Sequence, residues 1–354
     1  MNVVDIDDSR TSSDFNGISF SRFKKTHVKK EMLKNLISSK VEPACYWACE
    51  LICAGHYIDV WEIIILFITK HVHLGNPKLP MYVSLRIDVF KELATNHLGD
   101  EINLRNNFKI RQLFAEIIST LCYARKNHAF QMVKLKKSEE FSMEVMKSML
   151  KAPNVSYAGL VFKPEDPKEL FIAINELSYH LSDESKNNYI ACYWLEWLIE
   201  FDMTCKKNKQ SCISERRGFA NVDEKYKKDS IWIIWELINV VAQNKNCPVI
   251  IKIIESLLDI FCLKYTSGTK RKRKYILYNC VSLLTEPCDL TTPIWTDKIQ
   301  ILRVSQKINV IYKEIKKNEI SAGIPTSSGQ HQQERSNLEK TIEKLEMMNK
   351  MTKV

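Results

Sequence analysis

Apolar residues recur along most of the chain at intervals of three and four positions, which is the spacing of one buried face of an α-helix. Trp47, Leu51 and Ala54 form one such stripe, and Trp194 and Leu198 belong to another. Glycine and proline, which are frequent where strands and tight turns alternate, number only 9 and 10 in 354 residues. The pattern therefore predicts an all-α fold.

A tetrapeptide with two aromatic residues occurs twice in the chain. Ala44–Trp47 (Ala-Cys-Tyr-Trp) returns as Ala191–Trp194, and further matching blocks follow in the same order. We interpret this order as an internal duplication that produces two tandem bundles of about five helices each, followed by a C-terminal helical tail. Tryptophans at matched places are predicted to be core anchors, because an indole buries a large apolar area. They are Trp47, Trp61, Trp194 and Trp235.

Composition and the matched blocks together predict the organisation of the chain. Residues 1–20 are polar and rich in Asp and Ser, which favours disorder. The segments expected after them are helical repeat 1 (21–135), a connector (136–165), helical repeat 2 (166–290) with a basic inserted loop (206–228), a basic helix (291–320), a Gly/Ser/Gln-rich linker (321–336) and a short terminal helix (337–354).

The overall composition is that of a soluble globular protein, with 45% hydrophobic and 27% charged residues. The longest apolar run, Ile63–Ile68, is far shorter than the roughly 20 residues that cross a bilayer. The N-terminus also lacks the apolar segment of a secretory signal. We therefore expect an intracellular protein without membrane contact, in which the 11 cysteines are reduced thiols.

Positive charge is the sequence feature with the clearest functional meaning. The formal net charge is +10, and cations are concentrated in the run Lys270–Lys274 and in the loop 206–228. We predict that both lie on the surface and contact nucleic acid through its phosphates, independently of base sequence and with a strong dependence on salt. A nuclear localisation signal and a plain solvated surface are the alternatives for the run. The residues predicted to contact nucleic acid are Lys206, Lys207, Arg216, Arg217, Lys270, Arg271, Lys272, Arg273 and Lys274.

The common catalytic signatures are missing from the chain. It has no Gly-x-x-x-x-Gly-Lys, Gly-x-Gly-x-x-Gly, Cys-x-x-Cys or His-Glu-x-x-His sequence. We therefore predict a protein that is not an enzyme and that has no catalytic residues and no cofactor.

One cluster has a spacing that could supply zinc ligands from a single helix face. Cys45, Cys49 and Cys53 stand at i, i+4 and i+8, just before His56. Cysteine is also among the most buried residue types and packs as a small hydrophobic side chain. A core role is the stronger interpretation, so no metal is predicted.

Three segments, Glu42–His56, Trp61–Ile64 and His73–Pro80, carry a resemblance to a known family. They resemble an uncharacterised protein family of the nucleocytoplasmic large DNA viruses, and the resemblance extends over roughly residues 24–290. It implies a protein that works in viral factories of the host cytoplasm, with the virion and the nucleus as alternative locations. The resemblance carries no activity that could be assigned to particular residues.

Two further likenesses concern helical architecture. Ala44-x-x-Trp47 followed by Leu74–Pro77 is similar to the helical collar region of clamp-loader-related ATPases. Two tandem helical units are also similar to the cyclin-like repeats of transcription initiation factors, but fold alone does not determine function. The sequence favours a non-enzymatic accessory protein of viral transcription or replication, with a virion structural or assembly protein as the alternative. The segment 337–351 is a candidate contact for a protein partner.

Overall fold

The computed structural model describes residues 4–95, 101–135, 141–210 and 212–320. Within these ranges the chain is helical and has no β-strand, so the predicted all-α fold is confirmed. No helix of the described ranges is long and apolar enough to cross a membrane. The predicted linker and terminal helix lie outside the described residues.

Local chemistry explains where several helices begin and end. The side chain of Asn107 accepts hydrogen bonds from the backbone N–H groups of Lys109 and Ile110, which begins one helix. Pro248 occupies the first turn of another, where its missing N–H is not needed. The π-helical turn Ile68–Val72 follows the third helix. The α-helices are α1 (Lys25–Ile37), α2 (Val41–Cys53), α3 (Tyr57–Phe67), α4 (Leu79–Thr95), α5 (Phe108–Tyr123), α6 (Met143–Met149), α7 (Phe171–Leu181), α8 (Asn188–Lys207), α9 (Ile231–Asn244), α10 (Pro248–Cys262), α11 (Thr269–Lys272), α12 (Lys274–Thr285), α13 (Lys298–Lys307) and α14 (Asn309–Lys316).

The described residues divide into two compact units that alternate along the chain. Unit 1 takes its residues from Met1–Ile68, Leu85–Lys126 and Pro293–Val354. Unit 2 takes its residues from Thr69–Ser84 and Asn127–Thr292. This division differs from the predicted repeat boundaries, because the helices that follow residue 292 pack with the N-terminal unit rather than form a separate tail.

Helix α2 is the centre of unit 1. Helices α1, α3, α5 and α14 all pack against it, and every residue of α2 except Glu42 is buried. Trp47 of α2 is 4% exposed and Trp61 of α3 is 5% exposed. Both predicted anchors of the first repeat therefore lie in the core.

The N-terminal segment packs against unit 1, so the predicted disorder of residues 1–20 is wrong for the described part. Phe15 and Phe20 are fully buried. The guanidinium carbon of Arg10 lies 4.7 Å from the centre of each of the two rings, and Arg10 also pairs with Asp8. Two aromatic side chains and a cation–π contact thus fix a segment whose average composition is polar.

The buried side chain of Glu50 in α2 attaches the same segment. Its carboxylate accepts hydrogen bonds from Ser19 Oγ at 2.7 Å and from Ser21 Oγ at 2.6 Å and Ser21 N at 3.0 Å. Burial raises the pKa of Glu50, although these donors oppose the shift. A buried carboxyl needs such partners, and here the N-terminal segment supplies them.

Helix α8 is the centre of unit 2. Helices α7, α9 and α12 pack against it. Trp194 of α8 and Trp235 of α9 are 0% exposed, so the anchors predicted in the second repeat also lie in a core. The last turns of α8 carry charged residues, among them the buried Asp202 and the exposed Lys206.

Candidate nucleic-acid interface

The run Lys270–Lys274 contains the end of α11 and the start of α12, and helical geometry sends its side chains in different directions. Lys270, Arg273 and Lys274 are buried, with exposed fractions of 1%, 6% and 8%. The other two cations of the run are exposed. The prediction that all five form one surface patch is therefore wrong, and the physical reason lies in the partners of the buried three.

Lys270 is buried because two aspartates neutralise it. Its Nζ lies 2.5 Å from Asp202 Oδ2 and 2.5 Å from Asp229 Oδ1. Asp202 is in the last turns of α8, and Asp229 precedes α9. Lys206 is a second cation at the same carboxylates, 3.1 Å from Asp202 and 3.7 Å from Asp229. The Tyr265 hydroxyl donates a hydrogen bond of 3.0 Å to Asp229, which completes a network that we call the Lys270 network.

The Lys270 network stays ionised at its solvent side. Burial lowers the pKa of Lys206, but the carboxylates of Asp229 and Asp202 outweigh burial and the pKa is raised. The cavity beside Asp202 and Ser230 has a volume of about 10 Å³. That is room for one water molecule and too little for a substrate. The network is therefore a structural support for the surface above it.

Arg273 binds backbone carbonyls instead of facing solvent. Its Nη1 donates hydrogen bonds to the carbonyl oxygens of Ile260, Phe261 and Leu263, at 3.1, 3.0 and 2.6 Å. These carbonyls belong to the C-terminal end of α10, which lacks intrahelical donors and attracts cations. The guanidinium thus caps α10, so Arg273 is not available to nucleic acid.

Lys274 is engaged by a buried carboxylate of α8. Its Nζ lies 2.7 Å from Glu196 Oε1, and the Tyr278 hydroxyl donates to the same oxygen at 2.8 Å. Burial raises the pKa of Tyr278, and the nearby charge of Glu196 adds to the shift. The ion pair attaches α12 to α8 and removes Lys274 from the candidate contacts.

Arg217, which is one of the residues predicted to contact nucleic acid, attaches the inserted loop to the rest of unit 2. Arg217 is 1% exposed and makes two parallel hydrogen bonds to Asp166, at 2.5 and 2.6 Å, and a third to Glu236 at 2.8 Å. Burial acts to raise the pKa of Asp166, but the hydrogen bonds from Arg217 and from the backbone of Lys163 and Glu215, with the charge of Arg217, together outweigh burial and lower the pKa. Arg216 is exposed and pairs with Glu224 at 3.1 Å. Surface exposure is therefore confirmed for Arg216 and wrong for Arg217.

Exposed cations nevertheless gather around the Lys270 network. The side chain of Lys206 is 46% exposed, and further cations directly follow it at the end of α8. Others adjoin Asp229 and Lys270 in the chain. Lys206 and Lys270 both lie within ion-pair distance of Asp229. The residues that adjoin these three in the chain therefore occupy one region of unit 2. We call this region the α8–α11 basic surface; it consists of Lys206, Lys207, Lys209, Lys228, Arg271 and Lys272.

The acids beneath this surface do not cancel its charge. The two negative charges of Asp202 and Asp229 are balanced by Lys270 and Lys206 together, so the other five cations of the surface keep a net positive field. Without Lys270, Lys206 alone would pair with the two carboxylates. Lys270 thus contributes to the surface without lying on it.

The cysteine ladder of α2 is a core feature. Cys45, Cys49 and Cys53 are buried, and burial raises the pKa of each thiol well above its ordinary value. Zinc binds the thiolate, so this environment disfavours a metal. The Nε2 atom of His56 lies 3.0 and 2.8 Å from two backbone carbonyl oxygens of the N-terminal segment. Among the described residues, no group of three His, Cys, Asp or Glu side chains is placed to hold a metal ion.

The acids of the Lys270 network are missing from the sequence prediction. A partial signal exists for Asp202, because Lys206 follows it by four residues on one helix, which is the spacing of a helical ion pair. No local signal connects Asp229 with Lys270, 41 residues later. A local sequence pattern does not show which charged residues pair when they are far apart in the chain.

Helix α1 has a second positive face, in unit 1. Lys24 and Lys30 are exposed there, whereas Lys25 and Lys29 share Asp59 at 3.1 and 2.6 Å. The lysine density is visible in the sequence, but the prediction did not treat it as a site. Because one carboxylate partly neutralises two of its cations, we regard α1 as secondary to the α8–α11 basic surface.

The chemistry of the α8–α11 basic surface is that of a contact for phosphate groups. It presents lysine and arginine side chains, which bind phosphate oxygens by charge-assisted hydrogen bonds. Its cations come from the end of α8, the residue before Asp229 and α11, so the fold of unit 2 brings them together. Comparison of the chain with protein-family models, with curated proteins and with solved structures finds no match.

Proposed function

We propose that this chain is a non-enzymatic accessory protein of viral transcription or replication that contacts nucleic acid through the α8–α11 basic surface. The observation that carries the proposal is the set of exposed cations of this surface, beneath which Lys270 and Lys206 balance the charges of Asp202 and Asp229. The viral context comes from the family resemblance of the sequence. The location that we propose on this basis is the host cytoplasm, with the nucleus or the virion as alternatives.

The type of contact follows from the side chains. Lysine and arginine bind phosphate groups, which repeat along any nucleic acid, so binding is expected to be independent of base sequence. If the five cations other than Lys206 each neutralise one phosphate of duplex DNA, the affinity is expected to fall about 500-fold between 50 and 200 mM salt. A weaker salt dependence would mean that fewer of them reach the phosphates.

The test is the affinity of the full chain for a fluorescently labelled duplex of about 30 base pairs, measured by anisotropy at low salt. The triple variant Lys207→Ala, Lys209→Ala, Arg271→Ala removes three exposed cations of the surface and should weaken binding by at least about 10²-fold, since each phosphate contact contributes roughly 1 kcal/mol or more. Its circular dichroism and urea midpoint should match those of the unchanged protein.

A charge-matched control separates the site from the net charge. The variant Lys109→Ala, Lys147→Ala, Lys252→Ala removes three exposed lysines that do not belong to the α8–α11 basic surface. It lowers the net charge by the same amount and should bind within about threefold of the unchanged protein, if the surface and not the net charge governs binding. Equal weakening by both variants, or no binding of the unchanged protein at low salt, would contradict the proposal.

A further inference from the structure

Helices α13 and α14 carry an apolar stripe that faces solvent. Ile299, Leu302 and Val310 are 65%, 50% and 58% exposed. With Gln306 they stand at i, i+3, i+7 and i+11, so they follow one side of the two consecutive helices. The opposite side of α13 packs on α5 within unit 1. A helix with two apolar sides needs a second partner, since the core covers only one of them.

Cations border this stripe along one edge. Arg303 and Lys307 each follow a stripe position by one residue, and both are exposed. On a helix, such residues lie about 100° further round, directly beside the stripe. The face is therefore apolar with a positive border, and it fits an amphipathic segment with a negative border.

The terminal segment 337–351 has this complementary pattern. Three of its apolar residues stand at i, i+4 and i+7, and a glutamate directly follows each one. The spacing of an α-helix would put Lys340 and Lys344 on the other side, away from these apolar residues. The apolar residues and their glutamates are Leu338–Glu339, Ile342–Glu343 and Leu345–Glu346.

The length of the intervening chain favours this segment over a second copy. The described residues end at Ile320, whose backbone N–H donates a hydrogen bond to Asp8 and whose carbonyl accepts one from Ser9. Residues 321–336 are rich in Gly, Ser and Gln, and a flexible chain of that length has a root-mean-square span of about 20–24 Å. Helices α13 and α14 have 10 and 8 residues and together are about 27 Å long. A flexible tether of this length would let the terminal segment reach the stripe at an effective concentration of the order of 1 mM.

We propose that residues 337–351 dock as an amphipathic helix on the exposed stripe of α13 and α14 in the same chain. Leu338, Ile342 and Leu345 cover the stripe, and the glutamates face Arg303 and Lys307. This contact is separate from the α8–α11 basic surface, so its test does not depend on nucleic-acid binding.

Zero-length cross-linking with a carbodiimide tests which partner covers the stripe. The reagent joins a lysine amine to a carboxylate only when the two touch. A mixture of ¹⁴N- and ¹⁵N-labelled full-length chains is cross-linked and digested for mass spectrometry. The proposal predicts links from Lys307 to Glu343 or Glu346 within chains of one isotope. If links between ¹⁴N- and ¹⁵N-labelled chains are as frequent as links within one isotope, a second copy occupies the stripe and the proposal is wrong. The absence of any link from Lys307 to Glu343 or Glu346 would also overturn it.

Hydrogen exchange of α13 gives an independent measurement. Ile342→Glu should abolish the cross-links and accelerate exchange in peptides from α13 by about tenfold, if docking is favoured about tenfold at this effective concentration. Lys344→Glu changes the charge on the other side of the segment and should leave exchange unchanged. Equal effects of the two variants would overturn the proposal.

Charge reversal provides a rescue experiment. Arg303→Glu with Lys307→Glu should remove the protection of α13, and adding Glu339→Lys with Glu343→Lys should restore it. A structural defect in α13 would not be repaired by changes in the terminal segment. Failure of the rescue would refute the proposed pairing of the two charged borders.

Discussion

Replacement of Lys270 by methionine should strongly destabilise unit 2. The ammonium group is 2.5 Å from each of two carboxylates, and the side chains of Asp202 and Asp229 are only 1% and 6% exposed. Removing one partner of a buried ion pair leaves an uncompensated charge, which costs about 3–5 kcal/mol. Lys206 remains 3.1 Å from Asp202, so we expect the lower end, about 3 kcal/mol.

The measurement is urea unfolding at pH 7, followed by tryptophan fluorescence. Arg271→Met is the matched control, because it removes a neighbouring cation that is exposed. A surface substitution of this kind should change the free energy of unfolding by at most about 0.5 kcal/mol. The two variants therefore compare the stability contribution of a buried cation with that of an exposed cation, both from the run Lys270–Lys274.

A second substitution tests the cause of the loss. Adding Asp202→Asn to Lys270→Met removes the uncompensated carboxylate and should recover part of the stability, so the double variant should be more stable than the sum of the single effects. If Lys270→Met unfolds at the same urea concentration as the unchanged protein, or if Arg271→Met is equally destabilised, the interpretation of the Lys270 network is wrong.

Three further predictions concern other charged contacts. Arg217→Met should lower the free energy of unfolding by about 3 kcal/mol and expose the inserted loop to proteases, since it strands a buried carboxylate; a loop as resistant as before would contradict this. The pKa of Asp166 is lowered from 3.8 in the folded chain, so its stabilising contribution is present above that pH and is lost as the pH falls through the folded value. Asp166→Asn should therefore flatten the dependence of the urea midpoint on pH below about pH 4, and an unchanged acid profile would refute the assignment. Glu50→Ala should accelerate hydrogen exchange in residues 4–20, whereas Glu92→Ala, at an exposed position of α4, should not; equal exchange in both would show that the carboxylate does not hold the segment.

The helices and their buried faces could be predicted from the sequence because they depend on local periodicity. Trp47 and Trp194 lie in the stripes that predicted α2 and α8, and both are buried. The internal duplication stays a prediction, since the two packed units take their residues from alternating parts of the chain rather than from consecutive halves.

The burial of charged residues could not be predicted in the same way. Whether a lysine is exposed depends on which carboxylate the fold brings to it, and the partners of Lys270 lie 68 and 41 residues earlier in the chain. The order of the N-terminal segment could not be predicted from composition either. Its polar composition favours disorder, but Phe15, Phe20 and the Glu50 carboxylate supply enough specific contacts to fix it.

The most direct test of the central claim is the salt dependence of DNA binding for the unchanged protein and for single variants of the exposed cations. On a plot of log affinity against log salt concentration, Arg271→Ala should reduce the slope by about one, as the loss of one phosphate contact requires. Lys252→Ala, which removes an exposed lysine of α10, should leave the slope unchanged. An affinity that does not fall with salt, or the same slope in all three proteins, would contradict a phosphate contact at the α8–α11 basic surface.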